Sequence, residues 1–289
     1  MNPRLEGRYR TLLRAYPPQY RAEHGDEIMD TLAQTTPAER SWPVWREARA
    51  LLAAGLRMRA LTSGGNSSRG LVLDGLHIGA TLLVAANAAL AVLAVTGSSS
   101  RGIDKLTGLA WVLAFAGMVR GGRLLPVALV AAAAALSITA QREGLFFLPV
   151  QWYAWEWALA NHVLPLVLVA ALARRGVAPA RSPLLILLPA IPYAVWLGVI
   201  STPFFLTSTL FAMMLVAAVV ALCLTPIDPR PALGLALLLV PAVSLLTVSA
   251  AQGMYFLTSP SWLWATVWGL AVVTLAWAGT QASRRIVRA

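Results

Sequence analysis

Eight long apolar runs, near 71–96, 106–119, 124–140, 157–173, 183–200, 203–224, 232–250 and 261–279, constrain this chain more than any other feature. A soluble core has no use for so many. An average globular domain is roughly 45–50% apolar and about 25% charged. Here 58% of the 289 residues are hydrophobic and 12% are charged, with a mean hydropathy of +0.68. Lipid offers no partner to an unpaired backbone N–H or C=O, and the runs are continuous rather than alternating, so the spanning elements are expected to be helices and not barrel strands. The expected fold is therefore all-α: a polytopic helical membrane protein of about eight transmembrane helices. The run at 106–119 is short for a bilayer about 30 Å thick at about 1.5 Å per residue. Its helix is expected to extend back through Asp104 and Lys105, or to be shielded by its neighbours.

The net charge of +11 would suit nucleic acid, but the basic residues stand as short clusters between apolar runs and read as topology signals. No direct nucleic-acid partner is expected. With the N-terminus inside, the cytoplasmic connections and tail carry Arg120, Arg123, Arg174, Arg175, Arg181, Arg230, Arg284, Arg285 and Arg288. The opposite side has Arg101, Lys105 and Arg142, so nine basic residues stand against three. That asymmetry predicts a multi-pass protein of the cell membrane with both termini cytoplasmic. The outer connections also gather aromatics, including Phe146, Phe147, Trp152 and Trp155, and again Tyr255, Phe256, Trp262 and Trp264, as an interfacial belt would.

Residues 1–62 differ from the rest. Leu5, Tyr9, Leu12, Leu13 and Tyr16 recur at helical spacing among arginines, and Pro17 and Pro18 end that helix and open a second. On the second, Tyr20, Ile28 and Leu32 form an apolar stripe, while Glu23, Asp26, Glu27 and Asp30 form an acidic face suited to docking a basic protein partner or to pairing with the arginines of the first helix. Thr36, Pro37 and Glu39 predict the start of a third helix carrying Trp42, Trp45, Leu51, Leu52 and Leu56, whose leucines would rest on the membrane surface. The charged opening has no cleavable signal-peptide pattern. The domains expected are a cytoplasmic three-helix prefix at 1–62, a Ser/Gly-rich linker at 63–70, a transmembrane domain at 71–280 and a cytoplasmic tail at 281–289.

Two stretches, after Arg123 and after Arg230, run in the same order through a small polar end, a glycine (Gly144, Gly253), paired aromatics and a tryptophan cluster. They point to a 4+4 repeat of parallel orientation. Any two hairpins ending in an aromatic belt would look similar.

The N-terminal residues Leu13-Arg14-Ala15-Tyr16-Pro17, Tyr20-Arg21, Glu23-His24-Gly25-Asp26-Glu27-Ile28 and Trp45-Arg46-Glu47 resemble the helical prefix found ahead of certain bacterial permeases. They are similar to the opening of actinobacterial integral membrane proteins often encoded beside PadR-type regulators. The resemblance covers about the first 60 residues. It implies a regulatory or transport setting, with an ATPase subunit or another cytoplasmic protein as partner beside the lipid bilayer, rather than a reaction.

Chemistry-bearing residues are few. His24 stands among Glu23, Asp26 and Glu27 but lacks the paired-histidine spacing of helical zinc sites, and Cys223 is the single cysteine. No Gly-rich phosphate loop, serine elbow or HExxH is present. The expectation is a non-enzymatic chain with no catalytic residue, cofactor or metal: a signalling or regulatory membrane component, with a permease-like subunit or small efflux-type transporter as the rival. Ionisable groups in spans invite a functional reading. Asp74 and His77 share a face near headgroups, Glu156 falls in the outer belt, and His162, beside Asn161 and ahead of Pro165, is the best candidate for a polar pocket, against a helix-to-helix hydrogen bond.

Overall fold

The computed structural model of the chain describes residues 2–35, 37, 39–63, 67–96, 102–121, 124–142, 159–174, 204–251, 255–256 and 259–288. Its first helix, α1 (Pro3–Leu13), starts where the backbone is prepared for it: the Asn2 side chain accepts the Arg4 N–H at 2.9 Å, and Pro3 occupies a position that needs no donor. Leu5, Tyr9 and Leu13, each four residues on, are buried. They meet Tyr16 and Met29, the latter from α2 (Pro18–Thr35), in a small core. The third helix, α3 (Trp45–Ser63), starts later than Thr36 and Pro37 predict. Pro37 opens only a turn, its carbonyl accepting the Arg40 N–H at 3.2 Å. Pro43 is the physical reason, because it disfavours helical geometry at Trp42 and delays the helix until beyond it. α3 then closes the prefix. Tyr9 donates its hydroxyl to Glu47 at 2.6 Å, and Gly55 lies so close to Ala15 and Tyr16 that a Cβ there would sit 2.9 Å from both.

The segment expected as a linker, 63–70, is partly helical: α3 runs to Ser63, and α4 (Ser68–Thr96) begins with the Ser67 hydroxyl accepting the Gly70 N–H at 2.9 Å. Helices follow at α5 (Gly102–Arg120), α6 (Leu124–Arg142), α7 (Leu164–Ala173, entered through a π-helical turn at Leu159–Val163), α8 (Phe204–Leu224), α9 (Arg230–Ala251) and α10 (Ser261–Arg288). α5 includes Asp104 and Lys105. A two-residue antiparallel ladder, Tyr255–Phe256 with Ser259–Pro260, precedes α10. The fold is all-α. Helices occupy the apolar runs as expected, except that the run at 183–200 lies outside the described residues, as do Glu156, the belt aromatics at 146–157 and the Gly144/Gly253 match of the suggested repeat.

α4 is the axis of the bundle. On one side Leu82 and Leu83 join Leu238, Leu239, Trp268 and Leu275 of α9 and α10, and on the other Val84 joins Trp111, Val130 and Val169 of α5, α6 and α7. α4 and α9 meet backbone to backbone. A Cβ at Gly79 would fall 2.8 Å from Leu237 Cβ and 3.1 Å from the Gly234 carbonyl oxygen, and one at Gly234 would fall 2.8 Å from Ile78 Cγ2. Among the described residues, two helices, at Ser68–Val92 and Trp262–Val287, are long and apolar enough to cross a membrane. Among the described residues, the apolar stretches at Leu124–Thr139, Asn161–Ala173, Met213–Leu224 and Arg230–Ser244 are shorter.

Candidate functional site

The sequence Asp228-Pro229-Arg230-Pro231 enters α9 with two prolines, neither of which carries an N–H to leave unbonded at a helix start. Asp228 accepts the backbone N–H of Arg230 at 3.0 Å and two guanidinium N–H groups, Nε at 2.8 Å and Nη2 at 2.7 Å. Nη1 reaches across to Asp74 of α4 at 2.9 Å. The side chains of Arg230 and Asp74 are only 13% and 7% exposed, so one planar guanidinium serves two carboxylates in a mostly dry setting, a geometry that Lys cannot reproduce.

The sequence places Asp74 and His77 on one face near headgroups, at the start of the first span. Both are buried, and Asp74 faces Arg230, 156 residues away. Arg230 reads in the sequence only as a topology charge. The missed signal is an acid nearly two turns into an apolar helix, which needs a cation from elsewhere.

This ion-paired joint touches the prefix. Arg57 of α3 donates from Nη2 to the Pro226 carbonyl at 3.0 Å, in the turn between α8 and α9. Beside it Ala60 and Leu61 of α3 pack with Leu71 of α4 and Ile286 of α10.

His162 and Asn161 are brought into one buried arrangement. Asn161 donates from Nδ2 to the Asn87 side-chain oxygen at 2.8 Å, and Asn87 donates back to the Asn161 backbone carbonyl at 3.1 Å and to the Leu83 carbonyl at 2.9 Å. Pro165 explains the second bond. In a regular helix the N–H at 165 would bond the carbonyl of residue 161, but proline has none and its ring crowds that oxygen. Asn87 takes up the orphan, beside the widened π turn. The His162 ring lies 5.8 Å from Trp111, whose Nε1 donates to Ser137 at 2.9 Å. Side chains of α4, α5, α6 and the π turn thus meet in one polar patch. Asn161 and His162 are 0% and 2% exposed, and among the described residues Oδ1 of Asn161 accepts no hydrogen bond. For Asn161 the geometry is a cross-link between helices, and for His162 it is a ring contact with Trp111 of α5.

That account has a test. Asn87→Leu removes the donor to the Asn161 carbonyl and should cost about 1–3 kcal/mol, the usual penalty for an orphaned buried group. In a Pro165→Ala background the N–H at 165 bonds that carbonyl, so the penalty should shrink. An equal loss of melting temperature in both backgrounds would contradict the account.

The acidic quartet Glu23, Asp26, Glu27 and Asp30 is exposed along α2. Among the described residues none of the four pairs with an arginine of α1, where Arg10 bonds Glu6 instead. His24 lies against Tyr20, 4.6 Å between ring centroids, and 3.6 Å from Glu27. Among the described residues no three His, Cys, Asp or Glu side chains gather as a metal site. Burial, with Tyr20 beside it, raises the Tyr16 hydroxyl above the usual tyrosine value. No family model, curated protein or solved structure matches the chain.

Proposed function

We propose that this chain is a non-enzymatic, multi-pass component of the cell membrane with cytoplasmic termini, whose helical prefix receives a protein partner and passes its state to the bundle. The observation that carries this reading is the joint: Arg57 of the prefix holds the turn that presents Asp228, and Asp228 orients the arginine that binds Asp74 on the central helix. A partner that moves α3 would disturb the Arg57 contact and, through the turn, the pairing of α4 with α9. Such coupling requires an element able to take two arrangements, and an ion-paired joint between two helices suits that role.

Membrane placement is supported by the outward faces of the helices. Met213, Val216, Val219 and Val220 of α8, and Trp262, Leu270, Val273 and Trp277 of α10, are exposed, and apolar bands of that extent are not sustained in water. The nine-to-three asymmetry of basic residues supports the orientation. The partner's chemistry is basic, complementary to the exposed quartet on α2.

The rival, a permease-like subunit, is favoured by the buried Asn87–Asn161 cross-link and the broken helix at Pro165, which resemble the interrupted helices that line transport sites.

The deciding experiment is capture of partners by the tagged full chain in mild detergent, beside a variant with Glu23→Lys, Asp26→Lys, Glu27→Lys and Asp30→Lys. A cytoplasmic protein retained by the parent and lost from the reversed variant is the expected result. An ATPase retained equally by both would decide for the permease-like subunit.

A further inference from the structure

Trp45, Arg49, Leu52 and Leu56 are spaced four, three and four residues apart, so they share one face of α3. That face is turned away from the prefix core. Trp45 is 76% exposed, Leu52 38% and Leu56 43%, and Trp42, just ahead of the helix, is 69% exposed. The charges around the stripe are cationic. Arg46 and Arg49 are exposed and, among the described residues, have no carboxylate partner. The Arg8 guanidinium lies 3.4 Å over the Trp42 ring. A tryptophan and leucines on one helix face, with a second exposed tryptophan just ahead of the helix and arginines nearby, are the composition of a helix lying in a membrane interface.

Position agrees with composition. The last turns of α3 are tied to the bundle at Pro226, Leu71 and Ile286. In the topology proposed above this end of the bundle faces the cytoplasmic leaflet, the anionic one.

We propose that the exposed face of α3, with Trp42, docks on anionic phospholipid headgroups of the cytoplasmic leaflet, held by Arg46 and Arg49. Lipid fits this surface better than a protein groove does, because the apolar residues are bordered by unpaired cations rather than by mixed polar groups. The inference rests on the membrane placement proposed above.

The test uses the full chain with Cys223→Ser, since Cys223 is exposed and would otherwise be labelled. A spin label is attached at Leu56→Cys or, separately, at Val216→Cys on α8, and the chain is placed in nanodiscs of phosphatidylcholine with or without phosphatidylglycerol. Collision with oxygen reports lipid contact, and collision with a water-soluble nickel chelate reports exposure to water. With phosphatidylglycerol the label at 56 should be oxygen-accessible and shielded from nickel. In pure phosphatidylcholine, or with R46Q and R49Q, it should return to water, with about a fivefold loss of the surface-bound population for each charge removed. A label at 56 that stays in water in both lipids, or whose lipid contact ignores both phosphatidylglycerol and the arginines, would overturn the proposal. A label at 216 that is never lipid-accessible would overturn the membrane placement itself, so the two failures are distinguishable.

Discussion

Replacing Arg230 with alanine is expected to lower the stability of the purified chain by about 3–5 kcal/mol, the range seen when one member of a buried ion pair is removed and the other is left behind. Arg230 bonds both Asp74 and Asp228, so its loss leaves two carboxylates without that donor, one of them 7% exposed. Asp74→Ala should cost less, because the guanidinium keeps its two bonds to Asp228. Arg230→Lys should recover only part of the loss, since an ammonium cannot present three N–H groups in one plane. The decisive comparison is the double variant Asp74→Ala/Arg230→Ala, which should melt above Arg230→Ala alone in detergent. A double variant no more stable than that single one would mean that Asp74 is not the charge Arg230 neutralises.

The second large effect is expected where α4 crosses α9. In an exposed helix interior alanine is better than glycine by about 0.8–1 kcal/mol, so Gly→Ala is stabilising wherever there is room. At Gly269 the nearest atom to an added Cβ is Val243 Cγ1 at 3.9 Å, an ordinary contact, and Gly269→Ala should be neutral or stabilising. At Gly79 the same methyl would meet Leu237 Cβ at 2.8 Å and the Gly234 oxygen at 3.1 Å. Neither atom is the free end of a flexible chain, so the helices must separate. Overpacking of this kind costs about 1–3 kcal/mol, and Gly79→Ala should destabilise despite the helix-propensity gain. The opposite signs of the two substitutions, read as shifts in melting temperature, are the check. A stabilising Gly79→Ala would show that the seam is looser than described.

Much of the fold was legible along the chain because helical periodicity and hydropathy are local properties. The Leu5, Tyr9, Leu13 stripe, the prolines at 17 and 18, and the extension of α5 through Asp104 and Lys105 all express preferences within a few residues. At the start of α3 two local signals compete, and the restriction that Pro43 puts on Trp42 prevails over Thr36 and Pro37. The site was less legible. His162 and Asn161 stand out as polar residues in an apolar run, but nothing local marks Asn87 as the partner of Asn161.

The sequence by itself determined the helical class, the approximate helix positions, the basic asymmetry between connections and the acidic exposed face of α2, since each depends on residue type and spacing alone. Only the tertiary structure decided that Asp74 is neutralised by Arg230, that Arg57 ties the prefix to the 225–229 turn, and that the carbonyl orphaned by Pro165 is taken up by Asn87. The physical reason is the same in each case. A buried charge or carbonyl states that a partner is required, but a hydrogen bond is short-ranged. Which of many distant residues supplies that partner depends on the packing of helices 74 to 169 residues apart in the chain.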